Sequence, residues 1–273
     1  MSDLLGFNGS TVVITGAATG MGNETTRLLL DAGAEVHAID VAPVELDVTS
    51  GHRCDLSDPA AIDATVAQLP DRVDVLMNCA GIPNGGNWTP LQIMQVNILG
   101  LRHLTDALVD RIPSGGSVTN VASIAGNTWT SHVTELTELL ETADFAGGTA
   151  WCEEHEEVVG DGYFFSKEAV QFFTMWRSAQ TIRSGVRMNA ICPGVTDTKL
   201  LVDFRRGIGD DMLDMTVDVG LGRAAQPEEM APAILFLSHP TAASYINGAN
   251  LIIDGGFTAA MSTGQVDMAK YFG

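Results

Sequence analysis

A chain of 273 residues, 45% of them hydrophobic, carries enough apolar material for a buried core. No run of about 18 uninterrupted apolar residues argues for a membrane span. Fourteen Lys and Arg against 34 Asp and Glu give a formal charge of −20, which repels nucleic-acid phosphates and anionic membrane surfaces. The expectation is a soluble cytoplasmic protein with neither nucleic acid nor membrane as a partner, because the first residues lack a basic region followed by an apolar one. Four cysteines (Cys54, Cys79, Cys152, Cys192) show no paired spacing and read as reduced thiols. Cys152 with His155 is half of a metal site without a second half, so no metal is expected.

In chain order, a first strand is predicted at Thr11–Ile14. It is followed by Thr15-Gly16-Ala17-Ala18-Thr19-Gly20-Met21-Gly22 and a helix from Asn23 to Ala32. Glycines at such a strand-to-helix turn admit the tight bend and the approach of a pyrophosphate to backbone N–H groups. This marks Gly16, Ala18, Thr19, Gly20, Met21 and Gly22 as cofactor-binding. A second strand, Glu35–Ile39, ends in Asp40, eighteen residues after Gly22. A carboxylate there accepts from adenosine ribose hydroxyls and repels a 2′-phosphate. No base stands in the glycine loop or just after Asp40, so NAD is expected over NADP.

A weak third strand at His52–Cys54 leads into Asp55-Leu56, and a fourth at Val73–Met77 leads into Asn78-Cys79-Ala80-Gly81. Small residues at a strand's carboxyl end let a cofactor lie on the backbone, which adds Asp55, Leu56, Asn78, Ala80 and Gly81 to the cofactor set. A helix is predicted from Pro90 to Val109, then a strand at Ser117–Val121, a helix from Gly162 to Arg183, and strands at Arg187–Ile191 and Asn250–Ile253. The alternation gives an α/β fold: one domain with a Rossmann-type, doubly wound parallel sheet covered by helices on both faces. Two stretches interrupt it, and both are expected beside the substrate site. Residues 127–160 form an insertion holding at least one amphipathic helix, and residues 199–221 form an apolar lid with Leu200, Leu201, Phe204, Met212, Leu213 and Met215.

Tyr163 and Lys167 stand four residues apart, hence on one face of a helix, while Phe165, Ala169, Phe172, Phe173 and Trp176 make a separate apolar face. The joint set of Thr15-Gly16 to Gly22, Asn78-Cys79-Ala80-Gly81, Asn97, Ser123, Tyr163 with Lys167, and Pro193-Gly194 resembles, over nearly the whole chain, the motifs of the short-chain dehydrogenase/reductase family. The resemblance implies that Tyr163 is the catalytic acid/base and that Lys167 lowers its pKa and binds ribose. It implies that Ser123 hydrogen-bonds the substrate oxygen and Asn97 holds the water of a proton relay. Thr196 and Thr198 look like contacts to the nicotinamide carboxamide. Sixteen residues from Gly81 to Asn97 and forty from Ser123 to Tyr163 look most like the bacterial 3α-hydroxysteroid dehydrogenase/carbonyl reductase branch, with coniferyl-alcohol-type dehydrogenases close behind. A bulky apolar secondary alcohol or its ketone, plausibly a 3α-hydroxysteroid, is the small-molecule substrate this implies, and a homo-oligomer, dimer or tetramer, the assembly. A non-catalytic NAD-sensing protein is the alternative of another class.

Overall fold

Short β-branched and apolar runs form a sheet here because both of its faces are covered, so consecutive strand residues are buried alike. The computed structural model describes residues 6–272. Its strands are β1 (Thr11–Thr15), β2 (Glu35–Asp40), β3 (Ser50–Arg53), β4 (Val75–Asn78), β5 (Ser117–Val121), β6 (Arg187–Pro193) and β7 (Asn250–Ile253). They pair in parallel in the order β3-β2-β1-β4-β5-β6-β7. Winding therefore reverses between β1 and β4, and a crevice opens beyond their carboxyl ends.

The helices are α1 (Gly20–Asp31), α2 (Pro59–Val66), α3 (Pro90–Met94), α4 (Leu101–Leu108), α5 (Val133–Glu141), α6 (Phe145–Glu154), α7 (Glu156–Val159), α8 (Tyr163–Thr181), α9 (Leu201–Ile208), α10 (Asp210–Val219), α11 (Pro227–Ser238), α12 (Phe257–Ser262) and α13 (Ala269–Phe272). Local chemistry starts several of them. Asp58 caps α2 ahead of Pro59, and Thr89 with Gln92 forms a reciprocal box at α3. Side chains that alternate along the strands divide the core in two. Val13, Leu76, Val118 and Met188 pack with Ile62, Leu104 and Phe173 of α2, α4 and α8. Val12, Ile14, Met77 and Ile191 pack with Leu29 of α1 and Ile234 of α11.

The third strand starts two residues earlier than predicted and ends one earlier, because the edge ladder pairs His37 with Ser50 and Asp40 with Arg53. Cys54 has left the ladder, although its N–H still donates to the Asp40 carbonyl at 2.9 Å. The helix predicted over 90–109 is one continuous run whose middle, Gln95–Gly100, widens into a π turn. The α8 apolar face is broader than its sequence stripe: Tyr163 and Lys167 are themselves each only 6% exposed.

The insertion is helical as expected, but its position is not. After a 3₁₀ turn at Trp129–Ser131 it folds into α5, α6 and α7, which pack on α3, the π turn and α8. Leu136, Leu139, Leu140 and Trp151 are buried there, and Trp151 stacks on Phe165 with ring centroids 5.9 Å apart. The buried Arg102 of α4 donates to the Leu139 and Thr142 carbonyls at 3.0 and 2.6 Å, filling acceptors that the end of α5 leaves open. The insertion thus thickens the helical layer beside α8 and does not overhang the strand ends.

Candidate active site

The crevice at the switch point is a cleft of about 660 Å³. At one end lies the glycine turn. A Cβ on Gly22 would fall 2.1 Å from the Gly16 carbonyl oxygen, and one on Gly16 would fall 2.7 Å from the Ala80 nitrogen, so these two glycines weld β1, α1 and the β4 exit together. Gly20 differs, for its Cβ would point across the cleft toward Thr198 Cγ2 at 3.4 Å. Thr19 gives α1 no side-chain cap, and Gly20, Met21 and Gly22 line the cleft. Uncapped N–H groups on the positive end of a twelve-residue helix suit a pyrophosphate, so the donor set fits a dinucleotide.

Asp40 is anchored beside this turn. Its Oδ2 accepts from the Ala18 N–H and its Oδ1 from the Ala42 N–H, each at 2.9 Å, leaving further lone pairs for a ligand. Reading along the chain found no base nearby, but the sheet supplies one. Arg53 lies opposite Asp40 in the ladder and donates from Nε to the Val41 carbonyl at 3.1 Å.

At the other end α8 carries the chemistry. Asp161 accepts from the N–H groups of Tyr163 and Phe164 at 2.9 and 3.3 Å and so fixes the first turn of the helix. Burial pushes the Tyr163 phenol up to about 12, a hydrogen bond with Ser123 pulls it down, and the Asp161 charge pushes it up further. Burial also brings the Lys167 ammonium down to about 8; it donates to the Val121 carbonyl at 3.1 Å and lies 5.8 Å from the Tyr163 ring centroid. Burial outweighs the Ser123 hydrogen bond. The Cys79 and Cys192 thiols beside Lys167 are likewise pushed up by burial to about 12.

Gly16, Ala18, Thr19, Gly20, Met21, Gly22, Asp40, Asp55, Leu56, Ala80, Gly81, Ser123, Tyr163, Lys167, Thr196 and Thr198 all line this one cleft. Two expected residues do not. Asn78 turns into the core, donating to Thr105 Oγ1 and Asn120 Oδ1 at 3.0 and 2.9 Å, since β4 alternation sends its side chain toward α4 and α8. Asn97, in the π turn, uses its amide to hold Ile82 by both backbone groups, accepting at 2.8 Å and donating at 3.0 Å, and also donates to Ser166 Oγ at 3.1 Å. It borders the site from behind, where a Cβ on Gly81 would meet Asn97 Oδ1 at 3.4 Å and Lys167 Nζ at 3.5 Å. Among the described residues none from 127–160 lines the cleft, whereas Lys199, Leu200, Leu201, Asp203, Phe204, Ile208, Met212, Leu213 and Thr216 do. Met215 is packed in the interior instead. Sequence reading missed Trp88, Phe164 and Phe257 in the lining, and no motif marks them.

Two family models match the chain: short chain dehydrogenase over residues 10–135, and enoyl-(acyl carrier protein) reductase over residues 153–258. Coniferyl-alcohol dehydrogenase of Pseudomonas sp. (strain HR199 / DSM 7063) is 34% identical over 252 residues, spanning 91% of this chain and 96% of that protein. The chain belongs to the short-chain dehydrogenase family. Within that family, 3-alpha-hydroxysteroid dehydrogenase/carbonyl reductase of Comamonas testosteroni is 32% identical over 94% of this chain and 99% of its own. The 3-alpha-hydroxysteroid dehydrogenase of Pseudomonas sp. B-0831, solved in complex with NADH, superposes with a TM-score of 0.77 at 27% identity, covering 94% of this chain and all of the other. A short-chain dehydrogenase is an oxidoreductase that works with a nicotinamide cofactor, and the cleft has the donors for one.

The buried Lys167 makes stability depend on pH with a definite sign. Between about 8, its folded value, and 10.5, the value of an unburied lysine, the unfolded chain holds a proton that the folded protein has released. Stability contributed by this group therefore rises with pH across that window, by about 1.4 kcal/mol per pH unit. Urea unfolding of wild type and Lys167→Met between pH 7.5 and 10.5 should show their difference shifting in favour of wild type as pH increases. A difference independent of pH would mean that the ammonium stays charged in the fold.

Proposed function

We propose that this short-chain dehydrogenase uses NAD to interconvert a bulky apolar secondary alcohol, a 3α-hydroxysteroid in the leading reading, and its ketone. The observation that carries the reading is the Tyr163 phenol, hydrogen-bonded with Ser123 and close to Lys167, in the cleft that also takes in the uncapped start of α1. A nicotinamide bound there supplies the acceptor or donor of hydride. Ser123 holds the substrate oxygen, and Tyr163 takes the hydroxyl proton as the carbinol is oxidised and returns it on reduction. Lys167 holds ribose and favours the phenolate, and Thr196 and Thr198 hold the carboxamide. Tyr163→Phe should lower turnover by about 10²- to 10⁴-fold and leave the Kd for NADH within a few-fold of wild type. Retention of more than roughly a tenth of the activity would remove Tyr163 from the role.

Cofactor choice is a contest between two charges at the ribose end. Asp40 faces the cleft with its carboxylate fixed by two N–H donors, while the Arg53 guanidinium lies outside the lining. The reading is that Asp40 prevails and NAD is preferred. Asp40→Ala should raise kcat/KM for NADP, since Arg53 then acts unopposed, and Arg53→Gln should widen the preference for NAD. Equal use of both cofactors by wild type would reject the assignment.

The substrate end is large and apolar, with Leu200, Leu201, Phe204, Ile208 and Met212 of the lid facing Trp88 and Phe164. Each additional buried methylene contributes about 0.8 kcal/mol, so such a lid favours size. The aromatic share, Trp88, Phe164, Phe204 and Phe257, favours a second reading, an aryl alcohol of the coniferyl type. A steady-state panel with NAD should rank 3α-hydroxysteroids or coniferyl alcohol above cyclohexanol and far above 2-propanol. Coniferyl alcohol ahead of every steroid would replace the first reading by the second, and a preference for 2-propanol would end both.

A further inference from the structure

Asn84 stands in the segment that leaves β4 and takes no part in the mechanism above. Its side chain is only 5% exposed, yet one end of its amide has no partner. Nδ2 donates to Asp161 Oδ2 at 2.5 Å, while Oδ1 is buried without a hydrogen bond. A buried carbonyl oxygen left unpaired is costly, and its persistence calls for a reason. The lid provides one. A Cβ on Gly207 of α9 would lie 2.6 Å from both Cγ and Oδ1 of Asn84. A Cβ on Gly85, whose φ is +79°, would lie 2.2 Å from the Asp203 carbonyl oxygen and 2.3 Å from the Gly207 nitrogen. Main chain thus rests on main chain, and α9 can seat this closely only because glycine faces glycine across Asn84.

From that seat α9 reaches the phenol by two routes. Phe204 meets the Tyr163 ring directly, edge to face, with centroids 4.9 Å apart. Gly207 meets it indirectly through Asn84 and Asp161, whose other oxygen holds the N–H groups of Tyr163 and Phe164. We propose that Asn84 is a positioning residue that couples the seating of the lid helix to the first turn of α8, and so to Tyr163. Its unpaired oxygen makes the seat reversible: water reaches it when α9 lifts, which opposes the apolar closure and keeps the lid able to open. The amide also draws on the Asp161 carboxylate, whose charge raises the phenol pKa. Other charged or titratable groups around the phenol are Lys167, the Cys79 and Cys192 thiols beside it, and Asp203 of α9, which is paired with Arg206 at 3.1 Å. None of these is altered by the substitutions below.

The inference rests on Tyr163 as the proton-transfer group, so it is tested on wild type whose activity Tyr163→Phe has been shown to remove. Asn84→Ala should lower kcat for alcohol oxidation about tenfold and move the acidic limb of its pH profile upward, because Asp161 then acts on the phenol without the amide. The Kd for NADH, read by fluorescence, should stay within about twofold. Gly207→Ala should leave the pH profile in place and raise KM for a bulky alcohol about tenfold, with a smaller effect on 2-propanol. The double variant decides the matter, because removing the Asn84 amide relieves the side-chain part of the clash, at Cγ and Oδ1, and leaves only the contact with the Asn84 carbonyl carbon at 2.8 Å. KM should fall partway back toward wild type in Asn84→Ala/Gly207→Ala, by more than the product of the single effects allows, while the pH shift remains. Asn84→Ser, which keeps a short donor, should give an intermediate shift and replaces Asn84→Ala in the cycle if that variant does not fold. An unmoved pH profile, or KM effects that multiply independently in the double variant, would overturn the coupling. Loss of all activity in Tyr163→Phe together with either result leaves the proposed chemistry standing and removes only Asn84.

Discussion

Three consecutive turns of contact between α8 and the segment leaving β5 hold the reacting groups in one piece. Lys167 donates to the Val121 carbonyl, and Gln171 donates to the Ser123 carbonyl at 2.8 Å and to Asn127 Oδ1 at 3.0 Å. Glu168, only 2% exposed, accepts from Thr128 Oγ1 and meets His132 Nδ1 at 2.7 Å. Gly126 lets the two segments close, since a Cβ there would fall 2.4 Å from the Lys167 carbonyl oxygen. Burying an ammonium, a carboxylate and an amide side by side is unfavourable unless each is paired. Because each has its partner on the 121–132 segment, Ser123 cannot shift relative to Tyr163 without breaking several of these pairs at once. The insertion reinforces the arrangement from outside, with Trp151 stacked on Phe165 and His132 edge-on to the same ring.

That rigidity has an electrostatic consequence. A phenol held at about 12 by burial needs on the order of 7 kcal/mol of added stabilisation to ionise at neutral pH, at about 1.4 kcal/mol per pH unit. A single unit charge 4–6 Å away contributes roughly 3–4 kcal/mol at an effective dielectric of about 20. Lys167, at 5.8 Å from the ring centroid, is already in place while burial holds the phenol there, so it does not by itself ionise Tyr163. A further positive charge at that distance would supply about half of what is needed, so ionisation of Tyr163 depends on what the cleft holds. On the proposed reading, burial, which looks like an obstacle to a base, keeps the phenol protonated until a positively charged cofactor ring is beside it.

What the sequence disclosed and what it withheld divide along the reach of each interaction. The strands, the glycine turn and the Tyr163-Lys167 spacing are local patterns, and the fold places them as expected. Arg53 was invisible because it approaches Asp40 across a ladder, not along the chain. The Asn78 side chain turns from the cleft because a strand's last residue points to one face or the other according to a register that only pairing fixes. The burial of Tyr163 and Lys167 was missed for a different reason: α8 lies between the sheet and an insertion, so even its polar side is covered. The insertion itself was legible as helical from Leu136, Leu139 and Leu140, but nothing in its sequence says which layer it joins.

The two ends of the cleft are built with opposite economies of contact. At the glycine turn, atoms meet so closely that single methyl groups are excluded, and the α1 end is fixed before any ligand arrives. At the lid, α9 contains no buried residue although Leu201, Phe204 and Ile208 all face the cleft. Its apolar face is therefore satisfied only by whatever fills the space below, at about 25 cal/mol for each Å² removed from water. Surface ion pairs such as Arg205 with Asp210 and Asp214 tie α9 to α10 but contribute little toward holding it down. A helix so seated, on two glycines and one unsatisfied amide, closes most firmly over a ligand that supplies the missing apolar contact. On the proposed reading, selectivity for bulk arises from the stability of the lid itself and needs no dedicated polar contact to the far end of the substrate.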